Sequence, residues 1–118
     1  MSRMIRWDLE GARQRYKQAL PLFQRVEDVL GAANCIQSLG DIARAEGKYE
    51  VARKCFGEAL ALYRRIKEPY SIGWALVRLA RLAVGEVRVR LVAEARAAWE
   101  SIDRPDLVAQ LDGEFGAR

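Results

Sequence analysis

Apolar residues recur along this chain at spacings of three and four, the period of an amphipathic helix. The pattern is clearest between Asn34 and Arg65. Ile36, Leu39 and Ala43 share one helical face, and Val51, Ala52, Phe56, Ala59, Leu60 and Tyr63 share another. Gly47-Lys48 parts the two runs, and a glycine there suits the positive φ that closes a helix C-terminus. The segment predicts a helical hairpin, in which small Gly40 and Ala52 let two backbones approach closely.

On either side the signals are helical but less regular. Asp8 suits the N-cap of a helix expected from about Leu9 to Val29, with Leu9, Ala12, Tyr16, Ala19, Leu20 and Phe23 on its apolar face. Pro21 removes a backbone donor and is expected to kink or break that helix. Before it, apolar Met4, Ile5 and Trp7 are expected to pack rather than trail in solvent. Pro69 fits the first turn of another helix, running to about Val84. Beyond Gly85, the run Val87-Arg88-Val89-Arg90-Leu91 alternates as a strand would, yet Ala93, Ala97 and Ala98 favour a helix from about Val87 to Ser101. Asp103-Arg104-Pro105 makes a break, and Asp106 to Glu114 predicts a short last helix.

A shift of forty residues superposes the chain on itself. Ala12 falls on Ala52, Tyr16 on Phe56, Ala19 on Ala59, Leu20 on Leu60 and Phe23 on Tyr63. Further along, Ile36 falls on Leu76, Leu39 on Leu79, Gly40 on Ala80 and Ala43 on Ala83. Asp8 to Val29 therefore matches the second helix of a hairpin and lacks its first. The chain is expected either to be a piece of a longer array or to have that open helix face covered by another molecule.

The central hairpin resembles a tetratricopeptide repeat. The residues that carry the resemblance are Leu39-Gly40, Gly47-Lys48-Tyr49, Ala52, Phe56 and Ala59. The period of forty exceeds the usual one of about 34, and repeats of this longer kind are found in kinesin-light-chain-like members and in sensor arrays of large bacterial regulators. The resemblance implies an all-α, right-handed stack of antiparallel helical hairpins, about two and a half repeats long. Its expected parts are a lone second helix at 8–29, a central repeat at 31–67, a degenerate repeat at 69–103 and a short capping helix at 105–115. It also implies a groove, lined by the first helices, that holds a peptide or a partner helix.

Composition removes most other classes of function. At 118 residues the chain fits one domain with a real core. Hydrophobic residues at 51% and charged ones at 31% suit amphipathic helices, no uncharged run approaches a membrane span, and no signal-peptide core opens the chain. A cytoplasmic protein is expected, with Cys35 and Cys55, on opposite helices of the central hairpin, as buried free thiols in preference to the disulfide their placement allows in principle. The absence of histidine removes the commonest general base and metal ligand. The cysteines lack zinc spacing and the glycines stand singly, so no catalytic, metal or cofactor site is expected.

What remains is a binding surface. Asn34, Gln37, Asp41 and Arg44 fall opposite the core stripe of the central hairpin, as a polar face suited to a peptide backbone or to water alone. Forty residues on, the same positions are Trp74, Val77, Arg81 and Val84. This apolar patch is either a pocket for a partner side chain, with Arg81 pairing a carboxylate, or a seat for Leu107, Val108 and Leu111. The Lys and Asn clamp with which some family members grip chaperone tails is not reproduced, since Gln37 and Asp41 stand there. Leu9, Tyr16 and Phe23 on the open helix suggest self-association as a homodimer. Arg78, Arg81, Arg88, Arg90, Arg96 and Arg104 raise RNA binding, but interleaved Glu86, Glu94, Glu100 and Asp103 and the net charge of only +4 argue against it.

Overall fold

The computed structural model describes the backbone of residues 3–116 and the side chains of residues 8–116. Six helices follow one another: α1 (Arg3–Arg25), α2 (Val29–Ala45), α3 (Tyr49–Arg65), α4 (Pro69–Arg81), α5 (Gly85–Glu100) and α6 (Pro105–Phe115). Each packs chiefly on its neighbours in sequence, so the chain is a stack: α1, the hairpins α2–α3 and α4–α5, then α6. No strand forms among the described residues, and the alternating Val87 to Leu91 lies within α5.

The turns explain where the helices stop. Glu27, Gly47, Lys67 and Asp103 all have positive φ, from 53° to 77°. In each case the next residue's N–H reaches back to a carbonyl five residues earlier: Asp28 to Phe23 at 2.8 Å, Lys48 to Ala43 at 2.8 Å, Glu68 to Tyr63 at 3.1 Å and Arg104 to Trp99 at 3.1 Å. This satisfies a carbonyl that the helix end would otherwise leave without a donor. The residue that closes one helix then caps the next. Asp28 accepts from the Gly31 N–H at 2.8 Å and Glu68 from the Ser71 N–H at 2.9 Å, ahead of Pro69 at the first helical turn.

Three expectations about α1 need correction. It begins at Arg3, so Asp8 lies inside it and caps nothing. It ends at Arg25 rather than Val29, because Asp28 is the cap of α2. Pro21 sits within it without ending it; that residue is exposed, so water can hydrate the carbonyl left without a donor. The side chains of Met4, Ile5 and Trp7 lie outside those described. Further on, α4 stops at Arg81, four residues shorter than α2, and α5 starts at Gly85. Four residues are about one helical turn, so the apolar face stays in phase despite the shorter helix.

The main core runs through the stack from Ala33 and Ile36 by way of Tyr63 and Leu76 to Trp99 and Leu111. A second cluster joins Ala43, Ala52 and Phe56. Small residues set the spacing. An added Cβ on Gly40 would lie 2.7 Å from the Phe56 ring, and one on Gly73 would lie 2.1 Å from Trp99 Nε1. All described buried residues of the core are apolar apart from the Tyr63 hydroxyl, which donates to Asn34 Oδ1 at 2.6 Å.

Candidate functional site

The first helices α2, α4 and α6 line one side of the stack, and two pockets lie along it. The first, of about 360 Å³, is lined by Asn34 and Gln37 from α2 and by Tyr70, Ser71, Trp74 and Arg78 from α4. The second, of about 240 Å³, lies between α4 and α6 and is lined by Trp74, Val77, Arg81, Trp99, Gln110, Leu111 and Glu114. Trp74 belongs to both. Its ring meets Trp99 edge to face, with centroids 4.9 Å apart and planes at 64°.

Ion pairs frame the pockets. Arg78 donates through Nε and Nη2 to both Asp41 oxygens, at 2.8 and 3.2 Å, and through Nη1 to the Trp74 carbonyl at 3.2 Å. Arg81 makes the same two-pronged contact with Glu114, at 2.6 and 2.8 Å. The Arg81 hydrogen bonds hold the Glu114 carboxyl below the usual carboxylate range, against the opposing effect of burial. Gln37 carries a buried side-chain oxygen with no hydrogen-bond donor. Such an atom ordinarily finds a partner.

The structure brings together Asn34, Gln37, Asp41, Trp74 and Arg81 of the expected groove. Arg44 is exposed one turn beyond Asp41. Val77 is only 2% exposed; it contributes to the second pocket and belongs to the core, where Leu107 and Leu111 of α6 pack over it. One expectation is corrected. Val84 leaves the face entirely: α4 has already ended, and Val84 is the extended, 80% exposed cap of α5. Tyr70 and Arg78 join the site unannounced, although each lies four residues from Trp74 and so on its helical face. Trp99 was hidden by register. A shift of thirty-six rather than forty carries Tyr63 onto it, once the missing turn of α4 is allowed for.

At the other end of the chain, Leu9, Tyr16 and Phe23 are half-buried rather than open, and the Phe23 ring lies against Gly31 of α2. Among the described residues, the exposed large apolar side chains here are Leu22 of α1 and Val26 in the turn after it. Five of the six arginines of the cluster, all but exposed Arg90, make contacts within the protein itself. Arg78, Arg81, Arg96 and Arg104 pair with Asp41, Glu114, Asp112 and Asp106, and Arg88 donates to the carbonyls of Ala80 and Ala83. Cys35 and Cys55 are free thiols, and burial pushes both up from the ordinary range.

The Tyr63–Asn34 bond ties the floor of the site to α3 and gives it a pH signature. Burial pushes the Tyr63 hydroxyl up to about 12. The folded chain therefore holds that proton where an unfolded chain, titrating near pH 10, releases it. Stability from this group is fully present below about pH 10 and is lost as pH rises toward 12. Tyr63→Phe should flatten this part of the alkaline denaturation profile. An unchanged profile would mean that Tyr63 does not drive it.

A stack of antiparallel helical hairpins with small residues at the crossings defines a helical-repeat protein. The tetratricopeptide repeat family model matches residues 7–65, half of the chain, and the chain belongs to that family. Comparison with curated proteins and with solved structures found no match. Repeats of this family generally mediate protein–protein interaction and are not themselves enzymes. No helix among the described residues is long and apolar enough to cross a membrane.

Proposed function

We propose that this chain binds a protein segment, as a peptide or partner helix, along the side formed by α2, α4 and α6, and serves as an interaction module or scaffold. The observation that carries this reading is the pair of adjoining pockets sharing Trp74. One is lined by Asn34, Gln37, Ser71 and Arg78 beside Trp74, while the other is floored by Trp74, Trp99 and Leu111 and rimmed by Arg81 and Glu114. An apolar side chain beside Trp74, next to polar backbone groups that meet Asn34 and Ser71, matches that layout. Half-buried aromatic residues are frequent energetic anchors of interfaces.

The test is selection of peptides from a displayed library on the immobilised chain. Selected peptides should shift tryptophan emission on binding. Trp74→Ala should weaken them by about tenfold or more, as for a residue worth over 1.4 kcal/mol, and Arg81→Glu should weaken those carrying a carboxylate. Peptides that bind wild type and both variants equally would place the interaction elsewhere.

A further inference from the structure

We propose that two copies of this chain pair edge to edge, through the turns that follow α3 and α5, as a two-fold dimer. These turns are repeat equivalents once the shorter α4 is allowed for. Arg64-Arg65-Ile66-Lys67-Glu68-Pro69 closes α3 and opens α4, and Glu100-Ser101-Ile102-Asp103-Arg104-Pro105 closes α5 and opens α6. Their backbones agree. Lys67 and Asp103 both stand at φ 53°, and the next N–H in each turn reaches its carbonyl, Tyr63 or Trp99, at 3.1 Å. The isoleucine and the proline recur, yet every position charged in both turns changes sign. Arg64 becomes Glu100, Lys67 becomes Asp103 and Glu68 becomes Arg104.

Both turns lie inside the stack, on one edge of it. Ile66, Tyr70 and Ile102 are exposed there, at 36%, 43% and 37%. The Arg104 guanidinium lies over the Tyr70 ring at 5.7 Å, so the two turns form one continuous surface. Some of the charges are already engaged: Arg64 pairs with Glu94, Glu68 caps α4 and Arg104 pairs with Asp106. Those do not choose a partner. Lys67 and Asp103 do, with Arg65 and Glu100 beside them, because none of the four makes an ion pair or side-chain hydrogen bond among the described residues. The uncommitted charge is therefore positive on one turn and negative on the other.

That arrangement selects the occupant. An anionic surface, whether lipid or nucleic acid, is drawn to one turn and repelled by the other. A second copy, rotated about an axis that crosses the stack midway between the turns, presents the opposite sign at both places. Lys67 then faces the partner's Asp103, and Asp103 faces the partner's Lys67, around a shared apolar strip of Ile66 and Ile102. Such a contact is isologous and closes at two copies. The rotation leaves the α2, α4 and α6 sides of both copies facing the same way, so the dimer offers two grooves side by side. About a dozen residues a side is roughly half a standard interface, and a dissociation constant on the order of 0.1 mM follows.

Light-scattering mass across a range of concentrations tests this. Wild-type mass should rise from monomer to dimer and stop there, and salt should weaken the pairing. Lys67→Asp leaves the free charge of both turns acidic at this position, and Asp103→Lys leaves it basic. Each substitution borrows the residue that the equivalent turn already holds at the same φ. Either variant alone should dimerise about tenfold more weakly, since two contacts per dimer change from attraction to repulsion. An equimolar mixture of the two should regain the dimer, and so should Lys67→Asp/Asp103→Lys in one chain. Helical circular dichroism checks folding. Should a reversal unfold the chain, Lys67→Asn and Asp103→Asn must still weaken the dimer, asparagine being tolerant of positive φ. Wild-type chain that stays monomeric up to its solubility limit overturns the proposal. So does mass that climbs past a dimer, a single reversal that pairs as well as wild type, or a mixture no heavier than its components. Trp74→Ala should leave dimerisation unchanged, which separates this edge from the proposed peptide site.

Discussion

Trp99→Ala should lower the stability of the chain by about 3–5 kcal/mol, the range for removing a fully buried large aromatic. Trp99 has no solvent exposure, lies against Gly73 and donates from Nε1 to the Tyr70 carbonyl at 3.1 Å. It also meets Trp74 edge to face and belongs to the same cluster as Leu107 and Leu111. Its removal therefore opens a cavity at the point where α4, α5 and α6 converge. Stability in a repeat stack is roughly a sum of neighbour terms, so the loss should be local. Amide exchange should accelerate in α5 and α6 well before α2 and α3. A loss below about 1 kcal/mol, or a uniform rise in exchange, would show that Trp99 is not the organising contact of this end.

The sequence was most informative where local and tertiary demands agree. The central hairpin combines a strict helical period with a glycine at the positive-φ turn, and α2 and α3 follow from those residues. Glu27, Lys67 and Asp103 make the same kind of turn without glycine. That is why the end of α1 was overrun: nothing in Val26-Glu27-Asp28 marks a positive φ, and Asp28 reads as well in a helix as at its cap. Pro21 does not break α1, since it stands on an exposed helix side in a helix held by packing against α2.

Side-chain roles were harder to read than helices. Trp74, Val77, Arg81 and Val84 lie on one face only while α4 continues. Its early end sends Val84 into a turn, and α6 turns Val77 into core. Neither event is local in sequence. The fixed shift of forty also concealed Trp99, because α4 is shorter than α2 by about one helical turn. Asn34 and Gln37 both line the first pocket, but their distinct chemistry is not visible in the sequence. The Tyr63 hydroxyl satisfies Asn34, whereas the Gln37 oxygen lacks a donor, and the difference arises from contacts across helices.

Position in the stack should matter as much as residue type, and the Phe56–Tyr16 pair offers the sharpest comparison. Phe56→Ala should cost about 3–5 kcal/mol. Its ring is fully buried, lies on Gly40 and shares a cluster with Ala43, Ala52, Leu79 and Leu82, so the cavity has walls on every side. Tyr16 occupies the equivalent position forty residues earlier but is only half-buried. There, water replaces part of the lost contact, and Tyr16→Ala should cost about 1 kcal/mol, roughly half the value of burying a large apolar side chain. Urea denaturation measures both. Equal losses would mean that Tyr16 is as fully enclosed as Phe56.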